Sequence, residues 1–366
     1  MVQLENSLMN HPMIVVSCAR KRLLGSIAIC VLLLFSSLTV QAEDLVREIQ
    51  LNPALLEDGA SGTVSFSLAA PANVTLKICD LRGNVLRVLL DNRSLPAGTH
   101  SQVWDGRDNK GKPCGGGLYA PIIQAESEIL GSVAYMPTAN DWGALVEAKE
   151  LKHTAKSVSF TLAEPAYGRL RIGLPNGGAI YRTLAPWQYF SAGQHRLDWD
   201  GKDTTGKVVI GEREQLYLSF DGFTLPQNVF IIAGTVSLAQ GHYEQYPLQL
   251  AGSSQPSFFA LHPESLLPEP DFEVEFTDAQ RKKDQPELDT ETQMIIKLKQ
   301  ESPDVHLSEA MIFIDHVFHS EYPATKAPVQ LKVNTAKIPR GPHLLTVNLI
   351  TTDDRIASWS QQVIFR

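Results

Sequence analysis

The chain is poor in most features that mark catalysts and nucleic-acid binders. It has four cysteines in 366 residues, and two of them, Cys18 and Cys30, lie within the first 42. A disulfide-dense scaffold is excluded, because only Cys79 and Cys114 are left to pair. Basic residues are outnumbered, 32 Lys and Arg against 40 Asp and Glu, for a net charge of -8. That balance gives no hint of nucleic acid, whose phosphates would demand a basic face. Beyond Val40 no apolar run is long enough to span a bilayer. There is no P-loop, dinucleotide-binding glycine loop or nucleophile elbow. Convincing amphipathic helix periodicity is also missing, so the chain is expected to be nearly all β. Hydrophobic residues at 43 % and charged residues at 20 % place it among globular proteins rather than disordered ones.

What is present begins with an export pattern. Arg20, Lys21 and Arg22 form a basic region, and Leu23 to Val40 is an uncharged apolar run of 18 residues. Val40-Gln41-Ala42 then sets short side chains at a cleavage position ahead of Glu43 and Asp44. Residues 1–42 are predicted to be a signal peptide, with an uncleaved anchor as the other reading of those 18 residues. Export implies the periplasm or the cell surface, and no membrane association once the signal is removed.

One module then occurs twice. Val64, Phe66 and Leu68 match Val158, Phe160 and Leu162; Pro71, Leu76 and Ile78 match Pro165, Leu170 and Ile172. Ala97-Gly98-Thr99-His100 matches Ala192-Gly193-Gln194-His195, and Trp104-Asp105-Gly106 matches Trp199-Asp200-Gly201. The alternation of apolar and small polar residues predicts half-buried strands, and the Gly, Asn and Pro clusters between them predict turns. Strands at that spacing indicate tandem immunoglobulin-like β-sandwich modules, an all-β fold. The expected division is module 1 at 43–145, module 2 at 146–251, a proline-rich linker at 252–290 with one strand through Phe272, Val274 and Phe276, and a C-terminal Ig-like module at 291–366.

The run from Val74 to Tyr119, with Asp80-Leu-Arg-Gly83, Leu95-Pro-Ala-Gly98, Trp104-Asp-Gly-x-Asp108 and Gly111-Lys112, closely resembles the Ig-like domain of the flagellar hook-capping protein FlgD. The second copy resembles it more weakly, having Gly173-Leu-Pro-Asn176 in place of Cys79-Asp-Leu-Arg82. The stretch from Ile338 to Val347 is similar to generic bacterial Ig-like domains. The resemblance implies a sandwich fold, a role in assembly, spacing or binding, and no catalytic residues. A signal-like N-terminus departs from the flagellar protein itself and argues against hook capping.

Several constellations invite chemistry. Asp105, Asp108 and Asn109 near Gly111 suggest calcium, but with Gly111 as sixth residue the first and fifth would be Gly106 and Lys110, which is no EF-hand. Turn capping by aspartate is the favoured reading. Asp315-His316-x-x-His319-x-Glu321 has ligand-type residues, but the preceding Met311 to Ile314 run reads as a strand ending in a turn. Trp104 and Trp199, repeated at one strand position, read as core. Cys79 and Cys114 are absent together from the second copy, which has Gly173 and Val209 there, as a bonded pair would be. A bridge would close a loop of about 35 residues and add ~3–4 kcal/mol by restricting the unfolded chain. Against it, alternation puts Cys79 on the face opposite Leu76 and Ile78. Trp142, Trp187 and Tyr189, read as lying in irregular segments, are the candidate ligand-contact aromatics. No metal or cofactor is expected. The function expected is a non-enzymatic structural, scaffold or assembly role through contacts with other envelope or surface proteins. The alternative is a surface glycan- or ligand-binding accessory protein.

Overall fold

The computed structural model describes residues 45–366 except 58, 81, 138–143, 226–227, 235–242, 247–265, 278–279, 283–284, 301 and 304. The expected signal and Trp142 lie outside the described residues. No α-helix occurs among those described, and none of them forms a helix long and apolar enough to cross a membrane.

The first sandwich contains β1 (Val46–Asn52), β2 (Leu55–Leu56), β3 (Gly62–Leu68), β4 (Ala72–Cys79), β5 (Val85–Leu95), β6 (Gly98–Trp104), β7 (Gly117–Ser127) and β8 (Gly131–Tyr135). One sheet runs β1-β3-β6; the facing sheet has β4 between β5 and β7. Alternation decides which face is buried. Val64, Phe66 and Leu68 on β3 and Val74, Leu76 and Ile78 on β4 point into one shared core. Each such side chain contributes about 1.5–3 kcal/mol on burial.

The second sandwich repeats this topology with β9 (Lys149–Thr154), β10 (Ser157–Leu162), β11 (Ala166–Gly173), β12 (Ile180–Phe190), β13 (Gly193–Asp198) and β14 (Tyr217–Thr224). Its sheets are β9-β10-β13 and β12-β11-β14, in the places of β1-β3-β6 and β5-β4-β7. Val158, Phe160, Leu162, Ala166 and Leu170 form its core.

The chain then departs from the expected module order. Strand β15 (Phe230–Ile232) returns to the first sandwich, where it pairs antiparallel with β7 and parallel with β2. Phe230 is buried there with its ring 5.2 Å from that of Trp104. Residues 243–246 also lie against the first sandwich, beside the β4–β5 turn.

The third sandwich contains β16 (Phe272–Phe276), β17 (Gln280–Lys282), β18 (Gln285–Leu288), β19 (Glu291–Leu298), β20 (Leu307–Ile314), β21 (Val317–Pro323), β22 (Val329–Asn334), β23 (Gly341–Thr351) and β24 (Ile356–Phe365). Its sheets are β16-β19-β22 and β17-β18-β24-β23-β20-β21. The strand expected inside the linker, Phe272–Phe276, is a full member of this sandwich through β19.

Candidate functional site

The Trp-Asp-Gly loops share their indole and first-aspartate bonds and differ in part at the second aspartate. Trp104 Nε1 donates to Arg107 O at 2.9 Å, and Trp199 Nε1 to Lys202 O at 2.8 Å. Asp105 accepts from the Arg107 amide at 3.1 Å, and Asp200 from the Lys202 amide at 3.0 Å. Asp108 accepts from the Lys110 and Lys112 amides, and Asp203 from those of Lys207 and Val208. Gly106 and Gly201 hold φ of 69° and 77°, which L side chains rarely adopt. Both tryptophans are buried. The aspartates cap turns, and no group of three His, Cys, Asp or Glu suited to a metal occurs among the described residues. His316 and His319 also part company: His319 Nε2 meets Asn334 O at 2.9 Å, while His316 turns toward the second sandwich.

Cys79 and Cys114 are both free thiols. Cys79 packs with Val85, Ala120, Ile122 and Met136 on the outer face of β4, whereas Cys114 packs against the sandwich core that contains Trp104. The bridge that the sequence left open is not formed, because the two side chains join clusters on opposite faces of one sheet. Burial pushes each thiol up to about 12, with Asp80 adding to the effect at Cys79 and Asp108 at Cys114.

Trp187 and Tyr189 do not lie in an irregular segment; both are on β12. Pro186 between Ala185 and Trp187 obscured that strand, and it is tolerated because β12 is an edge. Nor do they form an open platform. Trp187 is only 3 % exposed, and Tyr189 is half-buried. The Trp187 ring stacks on Tyr167 at 6.4 Å and packs with Phe223, Leu118, Ile231 and Leu266. It therefore seals the first sandwich against the second. Arg169, also buried, sits 5.1 Å from the Trp187 ring centroid and pairs with Asp221 at 3.1 Å. Burial and then the neighbouring Arg171 hold the Arg169 guanidinium below its ordinary value, against the opposing pull of Asp221 and Glu269.

A cleft of about 290 Å³ lies between the second and third sandwiches, lined by Arg182, Thr183, Thr204, Glu269, Asp271 and Ser358 among others. Most of its polar groups serve the protein itself: Arg182 binds Asp200, Thr183 binds Glu269, and Thr204 binds Tyr181 O.

The more informative arrangement is at the sheet edges. In each sandwich a hairpin brings the first residue of an edge strand opposite the last residue of its partner: Val85 opposite Cys79, Ile180 opposite Gly173, and Val317 opposite Ile314. An edge strand presents unpaired backbone donors and acceptors. At Val85 they are met by the chain itself: the Val85 amide donates to Glu244 O at 2.8 Å, and Tyr246 N donates to Gly83 O at 2.7 Å. Lys77 pairs with Glu244 at 2.6 Å, and Gln245 bonds Asn84. At Ile180 one side chain replaces that strand. Asn348 on β23, 3 % exposed, accepts from the Ile180 amide at 2.8 Å and donates to Ile180 O at 2.7 Å. Phe313 and Leu344 of the third sandwich pack around this contact with Tyr181, Trp199 and Ile210. At the third position no such neighbour is found among the described residues. Val317 is 69 % exposed and Phe318 50 %.

Sequence reasoning did not single out Asn348, although an asparagine inside the apolar run Leu344 to Ile350 is itself a sign of a buried polar contact.

Residues 47–128 match the family of the FlgD Ig-like domain. No curated protein sequence matches the chain. Solved structures similar to it include the fibronectin(III)-like modules of CbhA from Clostridium thermocellum, 8 % identical, covering 87 % of this chain and 93 % of that chain with a TM-score of 0.20. Trypsin-activated alpha-2-macroglobulin from Escherichia coli is 11 % identical over 89 % of this chain and 24 % of that one, with a TM-score of 0.20. A bacterial ice-binding adhesin is 9 % identical over 88 % and 98 %, with a TM-score of 0.18. Likeness at that level carries no weight for function, and the sandwiches rest on the strand pairings above. The segment that matches the FlgD Ig-like domain, residues 47–128, is thus the first of a tandem of Ig-like β-sandwich modules.

Proposed function

We propose that the chain is an exported, non-enzymatic scaffold or assembly protein of the bacterial cell envelope or surface, which works by docking another protein at the β21 edge. One observation carries the reading. The edge position that fastens a neighbour in the first and second sandwiches meets none in the third among the described residues, beside exposed Val317 and Phe318. Strand addition at such an edge gives affinity through backbone hydrogen bonds and selectivity through flanking side-chain contacts. The occupant is an extended segment of an envelope or surface protein that places an apolar side chain over Phe318. The export pattern of residues 1–42 supports the location.

The test is a photoreactive residue at position 318 of the full chain, introduced in the producing bacterium. A single envelope or surface protein should be captured, and capture should be lost when Val317→Lys is added. Finding the chain in the cytoplasm, or capture unaffected by Val317→Lys, contradicts the proposal.

A further inference from the structure

The turn that leads into β21 contains a histidine held by the second sandwich at both ring nitrogens. Asp315 and His316 both have positive φ, 48° and 76°, the two-residue hairpin turn in which the second side chain is thrown outward. Tyr181 Oη bonds His316 Nδ1, and Arg213 Nη1 lies 2.7 Å from His316 Nε2. The Tyr181 ring meets the imidazole edge-on at 5.8 Å. A guanidinium has only donors, so Nε2 must accept. That assigns the proton to Nδ1, which donates to the Tyr181 oxygen, and it fixes the ring as neutral.

We propose that His316 is a pH-operated latch between the second and third modules. The neutral ring bridges Tyr181 and Arg213; a second proton, on Nε2, breaks the Arg213 contact and frees the turn before β21. Protonation would set an N–H of the imidazolium against the N–H groups of a like charge, with no acceptor between them. The groups facing His316 are Arg213 and Tyr181 from the second module, and Asp315 from its own hairpin. Asp315 gives only partial relief, because its carboxylate is committed to the Leu344 amide at 2.9 Å and His343 Nδ1 at 2.6 Å. Burial alone would raise the Asp315 carboxyl, but these two bonds outweigh it and hold the group below its ordinary value.

His343 provides an internal contrast. Its two nitrogens face Asp315 Oδ2 and Pro339 O at 2.7 Å, both acceptors, so a second proton leaves its contacts intact. Of these two histidines, His316 is the one with a donor at one nitrogen. Burial, and then Arg213, lower the His316 value from 6.5, with Asp315 pulling the other way. A histidine lowered on docking favours the docked turn above the unperturbed value and loses that contribution as pH falls through the lowered one. The latch is therefore closed above about pH 6.5 and opens in acid. It stands whether or not β21 receives a partner.

The test is the ¹³C-labelled histidine spectrum of the purified full chain together with amide exchange of residues 313–318. His316 should titrate below 6.5. Protection at 313–318, corrected for intrinsic rates, should fall about five-fold at the same midpoint, the worth of one net hydrogen bond. His316→Asn, which tolerates positive φ, should remove the pH step. Arg213→Leu should move the His316 midpoint upward and serves if the asparagine variant does not fold. A His316 that titrates at 6.5 with unchanged protection, or a step that survives in His316→Asn, overturns the latch.

Discussion

The first and second sandwiches carry the same loop from the indole N–H to the first capping aspartate, and both end on a second aspartate that accepts from the amide four residues on. Yet the same edge of each is closed by a different device. In the first, residues 243–246 come back from beyond the second sandwich and meet the backbone at Val85, while residues 230–232 extend the same sheet on its opposite, β7 side. In the second, a single amide side chain from the third does the corresponding work at Ile180. The repeated motif is thus local turn chemistry that any copy must keep. What joins the copies was solved separately at each junction, under one shared geometric condition, the unpaired start of an edge strand.

Deleting residues 230–246 should break the comparison most severely. The first sandwich loses β15, the Phe230 ring over Trp104 and the cap on Val85, and it should unfold while the second keeps its fold. Phe230→Ala is the milder form, with an expected loss of about 3–5 kcal/mol in urea denaturation of the full chain. Gly62 is tied to the same ring: a Cβ there would lie 2.4 Å from Phe230 Cε1. Next, Trp104→Ala and Trp199→Ala should cost similar amounts, about 3–5 kcal/mol each, if the two loops are equivalent. A large inequality would show that burial, not the shared turn, sets the role. Asn348→Leu should cost about 2–3 kcal/mol, because it leaves the Ile180 amide and carbonyl without their partner. Smallest in stability terms is the thiol difference. Cys79 and Cys114, pushed up to about 12 by burial, should resist alkylation at neutral pH in the folded chain, and both should label on unfolding without reductant. Labelling only after reduction would restore the bridge.

The sequence made legible what is local or repeated. Val64-x-Phe66-x-Leu68 and its copy announced strands, and Trp104-Asp105-Gly106 announced a turn, because side-chain alternation and positive φ are written in adjacent residues. It could not place Phe230-Ile-Ile, since that short apolar run pairs with Leu118 and Tyr119 over 100 positions away. Trp187 and Tyr189 misled for a related reason. Pro186 looked like a break, and only the sheet order reveals an edge strand with a neighbouring sandwich over it. The cysteine pair was suggested by joint absence in the second copy, but a sheet separates its members. Edge occupancy is a property of three strands at once, so no single segment records it.

Native-state hydrogen exchange of the full chain tests the central claim most directly. The amides of Val85 and Ile180 should be protected like interior ladder amides, although both begin edge strands. The outward amides at the start of β21 should exchange as an open edge does. Exchange at Val85 and Ile180 as fast as at β21 would contradict the account, for then no neighbour would be fastened there.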